Sequence, residues 1–168
     1  MVKYHSPKDY LDAARSPATS PEELRVLRHS IYDFVITAVA WNPNTEADVL
    51  HTLVAEDINS WDEQDRAYAI AQHPHATTET LALLAERLIP LLNRGRNRTL
   101  ALQAGLALCA NPKTPWSAIH SICNDHRVST DFRKRLARAT QRRDILELLG
   151  ADRSDVVRHH AHQRIELE

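Results

Sequence analysis

Four prolines, Pro17, Pro43, Pro74 and Pro112, sit in the same local pattern, and this recurrence constrains the fold more than any other feature. Three residues before each stands a small residue: Ala14, Ala40, Ala71 and Cys109. Four before stands Ala13, Val39, Ile70 or Leu108. Two after stands Thr19, Thr45, Ala76 or Thr114, with Thr77 one further on in the third copy. Seven and ten after stand Leu24 and Leu27, Leu50 and Leu53, Leu81 and Leu84, and Ile119 and Ile122. Each position has a physical task. Proline pushes the residue before it out of the α region and so ends a helix. The small residue lets two helices approach. Ser16, Asn42, His73 and Asn111 precede the prolines, and Asn or Ser there can bond the turn's backbone. The threonine, or a Ser or Thr beside it, is expected to N-cap the next helix. Ser20-Pro21-Glu22-Glu23 has the form of a capping box with Pro at the first helical position.

Between these signatures lies a second helix with its own apolar face: Ile31, Val35, Ala38 and Val39; then Ala67, Ile70 and Ala71; then Leu100, Ala104, Ala107 and Leu108; then Phe132, Leu136 and Ala139. The proline spacings are 26, 31 and 38 residues, and the extra residues are expected near Asn59–Asp65 and Leu88–Arg98. Ser6-Pro7 is expected to open a capping helix to about Arg15. Residues Asp144–Leu149 form another helix with Gly150 as its stop, and Ser154 opens a last one. Only 3 glycines in 168 residues, with abundant Ala, Leu and Arg, favour helices over a strand-rich fold. The expectation is one all-α domain over 1–168, an α-solenoid of four to five helix-turn-helix repeats at about 13–39, 40–70, 71–108 and 109–139, with a degenerate cap at 140–164.

The pattern Ala-x-x-Pro-x-Thr-x-x-x-x-Leu-x-x-Leu resembles the leucine-rich repeat variant family. Ala14–Leu27, Ala40–Leu53, Ala71–Leu84 and, with Cys and Ile substituted, Cys109–Ile122 carry the resemblance. It implies a right-handed superhelix of short helices without strands, HEAT-like in outline, and no particular chemistry. The repeats here are longer and less regular than that family's unit. Some members hold an iron–sulfur cluster in a Cys-rich module, which two isolated cysteines cannot supply.

Partner chemistry is suggested by an asymmetry of charge. Residues 1–92 carry 7 Lys+Arg and 14 Asp+Glu, a net −7, while residues 93–168 carry 14 and 8, a net +6. The leading expectation is a non-enzymatic protein–protein interaction scaffold that presents an extended surface to an unknown protein partner. Its oligomeric state is read as monomer or weak head-to-tail association. The alternative is a nucleic-acid module using Arg94, Arg96, Arg98, Arg133, Lys134, Arg135, Arg138, Arg142 and Arg143. Arg135, Arg138 and Arg142 share a face only if their helix runs past Thr140. Trp41 and Trp116, each beside a signature, are candidate anchors, although core packing is expected for at least two of Trp41, Trp61 and Trp116. A third reading is a metal protein or enzyme at His120-x-x-Cys123-x-x-His126; against it, Cys109 and Cys123 suit reduced, core-side thiols. The pair His159 and His162 lacks a full coordination set, and the acidic residues 56–65 lack calcium-loop spacing. No phosphate-binding glycine loop, Gly-x-Ser-x-Gly or His-Glu-x-x-His occurs, so no cofactor, metal or catalysis is expected. No apolar run approaches the roughly 18 residues of a membrane span, and the N-terminus has no signal-type stretch, so the expected location is cytoplasmic.

Overall fold

The computed structural model describes residues 5–93 and 99–167. Among them the chain forms eleven α-helices, one 3₁₀ turn and no strand. The helices are α1 (Pro7–Arg15), α2 (Pro21–Leu27), α3 (Asp33–Trp41), α4 (Ala47–Thr52), α5 (Trp61–Gln72), α6 (Thr78–Leu88), α7 (Thr99–Ala110), α8 (Trp116–Asn124), α9 (Thr130–Ala139), α10 (Arg143–Gly150) and α11 (Asp155–Ile165). Odd-numbered helices pack on one another in chain order, α1 on α3, α3 on α5, and so on to α11. The even-numbered α4, α6, α8 and α10 do the same, giving two layers. No described helix is long and apolar enough to cross a membrane.

The core runs between the layers. Leu24, Leu27, Val35, Leu50, Ile70, Leu81, Leu84, Leu108, Ile119, Ile122 and Phe132 are all buried, so the paired apolar positions after each proline face inward. Small residues sit where helices meet closely. A Cβ built on Gly105 would stand 2.8 Å from Leu92 Cδ2 and 2.9 Å from Phe132 Cε2, which explains the only glycine within α7. The buried Gln64 of α5 accepts the Ala101 amide (3.3 Å), satisfying a first-turn donor of α7.

The proline turns form a hydrogen-bonded ladder. Within each turn the residue before proline accepts the amide of the residue after it: Ser16 from Ala18, Asn42 from Asn44, His73 Nδ1 from His75, and Asn111 from Lys113. Thr140 accepts from Arg142 in a fifth turn that lacks proline. The other end of the same side chain reaches back one turn. Asn42 Nδ2 donates to the carbonyls of Ala14 and Ser16 (both 2.8 Å), His73 Nε2 to Asn42 (2.9 Å), and Asn111 Nδ2 to Ala71 (2.9 Å). Because His73 Nδ1 accepts, its Nε2 carries the proton. The residue after proline adds a second rung: Asn44 donates to Pro17 and Thr19, His75 Nδ1 meets Thr45 O, and Lys113 Nζ donates to Pro74. The reach-back bonds satisfy orphan carbonyls at the ends of α1, α3 and α5.

Several expectations change. Thr19, Thr45 and Thr114 are not N-caps: their hydroxyls donate backward to Ala13, Val39 and Leu108 (2.6, 2.5 and 2.6 Å), closing the preceding helix. In the first and third copies the Ser or Thr beside that position caps as expected, Ser20 accepting from Glu23 N and Thr77 from Thr80 N, while the N-cap positions of α4 and α8 are Glu46 and Pro115, which make no side-chain cap bond. Full capping boxes occur instead at Ser6 with Asp9 and Ser60 with Glu63. Ile31 is 88% exposed, because α3 begins only at Asp33 and Thr37 takes the inward place. The first long link is residues 53–60, ahead of Asn59–Asp65, since α5 already starts at Trp61. Gly150 is the last residue of α10 rather than its stop, and Ala151 caps it.

Candidate partner-binding face

The face presented by α5, α7 and α9 is built from an unusual helix. α7, with the sequence TLALQAGLALCA, is apolar nearly all the way round, so burying Ala101, Ala104, Gly105, Leu108 and Cys109 still leaves apolar groups outside. Its outward Leu106, Ala107 and Ala110 floor two adjoining grooves. The first, about 320 Å³, runs between α7 and α9, with Tyr68 and Gln103 on one side and Leu136, Ala139 and Thr140 on the other. The second, about 580 Å³, lies between the third and fourth proline turns, walled by His73, Pro74, Asn111, Pro112 and Lys113. Ala107 and Ala110 line both.

Aromatic and charged groups rim this surface. Trp41, at the end of α3, meets Tyr68 edge-on (centroids 5.6 Å apart, 79°), and its Nε1 donates to Asp65 (3.2 Å). Trp41 is 43% exposed. Beyond the apolar groove, α9 and α11 enclose a hollow of about 620 Å³ lined by Arg138, His160, Gln163, Arg164, Glu166 and Leu167. The even-numbered layer has a smaller hollow of about 210 Å³ at Ala82, Glu86 and Ser117.

No family profile, curated protein or solved structure matches the chain.

The residues marked by sequence are scattered by the fold. Arg94, Arg96 and Arg98 lie outside the described residues. Arg133 is 1% exposed, locked to Asp152 (Nε to Oδ2, 2.7 Å) and to the Val128 carbonyl. Lys134 and Arg135 both pair with Asp131, Arg142 with Asp144, and Arg143 with Glu147. α9 ends at Ala139 and Arg142 caps α10, so Arg135, Arg138 and Arg142 do not form one stripe. Arg138 alone of the set opens onto the hollow. All three tryptophans are exposed, against the expectation of core packing: Trp61 stands at the start of α5 and Trp116 at the start of α8, in the other layer from Trp41.

The titratable groups are tuned by structural pairing. Arg127, bonded bidentately to Asp125, holds that carboxyl down at about 2. Arg135 and Arg142 lower Asp131 and Asp144 in the same way. Burial drives the Cys109 thiol up and the Cys123 thiol up to about 12, so both are protonated and inert as nucleophiles or ligands near neutrality. His120 and His126 are exposed while Cys123 is buried, so the three do not converge. Among the described residues no group of three or more His, Cys, Asp or Glu side chains could hold a metal. Sequence reasoning missed Tyr68, Leu106, Ala107 and Ala110. The available signal was α7's apolar surround, which exceeds what one buried face requires.

Proposed function

We propose that the protein is a non-enzymatic docking module that binds a segment of a partner protein on the face of α5, α7 and α9. The observation that carries this is the pair of apolar grooves meeting at Ala107 and Ala110, with Tyr68 lining the first and the exposed Trp41 packed edge-on against Tyr68. Apolar floors with aromatic edges are what a partner's anchoring side chains fill, and contiguous exposed apolar surface marks such sites. The ladder of turn hydrogen bonds fixes the helices beneath, so little ordering cost falls on binding. The two-layer order and the recurring turns support a solenoid of the kind the repeat resemblance implies. Two unpaired buried cysteines suit a reducing, cytoplasmic setting.

Affinity capture from the source cell with wild type, the double variant Ala107→Gln/Ala110→Gln, and Ser117→Gln on the other layer tests this reading. The expected result is a discrete partner kept by wild type and Ser117→Gln and lost by the double variant. Retention by the double variant with loss by Ser117→Gln would move binding to the even-numbered layer.

A further inference from the structure

The second groove, between the third and fourth proline turns, carries a charge that the described residues leave unanswered. None of the described residues lining it is an acid, and Lys113 is the one lysine or arginine among them. The exposed Lys113 donates from Nζ to the Pro74 carbonyl (2.6 Å), across from the fourth turn to the third. That bond sets the ammonium on the groove's wall without cancelling its charge. No carboxylate stands within ion-pair distance of it among the described residues. The next turn shows the contrast. Arg142 stands two residues after Thr140 as Lys113 stands two after Asn111, and each amide donates to that earlier side chain. Arg142 is answered by Asp144 two residues on, where Lys113 has Pro115. His73, in the same wall, is held below its ordinary pKa first by burial and then by the positive charge of His75 and Lys113, against the pull of the Asn42 carbonyl. His73 is therefore neutral near neutrality, and the groove's charge rests on Lys113.

We infer that the docked segment carries an Asp or Glu side chain that pairs with Lys113, beside an apolar residue seated on Ala107 and Ala110. This rests on reading the face as a docking surface, and adds to it the chemistry and direction of the partner. Opposite charge at one end of a groove steers encounter and fixes register. Lys113 lines only the second groove and Tyr68 only the first, so they mark opposite ends of the shared floor. Asp65 lies one helical turn before Tyr68 on α5, and it repels the same carboxylate laid the other way. A side-chain carboxylate fits better than a chain terminus, which is captured by a cradle of backbone amides. Here the amides of His75 and Lys113 are taken by His73 Nδ1 and Asn111 Oδ1, and those of Ala76 and Thr114 by the His73 and Asn111 carbonyls. A nucleic acid fits less well, because a polyanion needs cations along its whole track and the described lining of the first groove has none.

The test is selection of a random-peptide phage library on the immobilised full-length chain, followed by fluorescence anisotropy of the enriched peptides. Enriched peptides should carry an Asp or Glu next to a Leu, Ile, Phe or Trp. Their affinity should fall about fivefold on Lys113→Gln, as for an accessible charge pair, and about tenfold or more on Ala107→Gln/Ala110→Gln. Lys113→Arg, which keeps the charge, should retain the affinity, and added salt should weaken wild type more than Lys113→Gln. Circular dichroism checks that each variant folds, and Ala110→Gln alone, at an exposed site, stands in if the double variant does not. Neutral or basic peptides that need Ala107 and Ala110 but ignore Lys113→Gln overturn the acidic partner and leave the docking face standing. Equal losses on Lys113→Arg and Lys113→Gln also overturn the charge pair alone. Peptides indifferent to the floor variants, or no enrichment at all, overturn both. Tighter, Lys113-dependent binding of an oligothymidylate assigns the groove to phosphates and overturns the inference.

Discussion

Replacing Asn42 by Ala should be among the costliest single changes at the molecule's turns. Asn42 is 2% exposed and makes three bonds: it donates to Ala14 O and Ser16 O and accepts from Asn44 N. Alanine leaves the Ala14 carbonyl and the Asn44 amide without a partner, while the Ser16 carbonyl keeps the Thr19 amide (3.1 Å). The Ala14 carbonyl lies in a fully buried residue at the end of α1, where no later helical amide reaches it. An orphaned buried acceptor costs about 1–3 kcal/mol. Asn44 is half-buried, so water recovers part of its loss, and the sum is about 2–4 kcal/mol. For a chain of this length that lowers Tm by about 6–12 °C. The equivalent Asn111→Ala removes one reach-back bond at a half-exposed site and should cost about 1 kcal/mol. Asn44→Ala, whose bonds lie near solvent, should cost less. Urea unfolding followed by circular dichroism gives all three values, with an unchanged m-value showing that the folded and unfolded states are the same. If Asn42→Ala proves no more destabilising than Asn44→Ala, the ladder is not what holds consecutive turns together.

Three further outcomes follow from the same contacts. Burial, with His75 and Lys113 adding positive charge nearby, lowers the pKa of His73 below its ordinary 6.5, against the opposing pull of the Asn42 carbonyl. The unfolded chain then binds more protons, so this stability is present above about pH 6.5 and lost as pH falls below it; His73→Asn should flatten the fall in urea midpoint between about pH 7.5 and pH 5. Gly105→Ala should destabilise by about 1–3 kcal/mol in urea despite alanine's better helix propensity, because Leu92 and Phe132 are both fully buried and cannot yield to the new methyl. Arg133→Met leaves the Asp152 carboxylate buried without its cation and should cost about 3–5 kcal/mol by chemical denaturation, while the same change in an Asp152→Asn background should cost distinctly less.

The turns were legible in sequence because proline, asparagine and serine carry their conformational chemistry locally. The helices between them follow from apolar spacing, and α1 opens at the expected Ser6-Pro7. The role of Thr45 was not legible: a threonine two residues after proline can cap either neighbour, and only the 2.5 Å approach to Val39 O decides between them. Arg133 shows the same limit, since its partner Asp152 lies 19 residues downstream in another turn. Ile31 continued the apolar period of α3 on paper, yet the chain there is still in the loop. The groove needed three helices to be placed side by side before Tyr68, Ala110 and Ala139 could be seen as one surface.

Site-specific photo-crosslinking in the source cell tests the docking face most directly. A benzophenone side chain at position 110, in the shared floor of the two grooves, should yield a discrete adduct with a partner, and the same group at Ser117 on α8 should yield none. An adduct at 117 with nothing at 110 would contradict the assignment of this face.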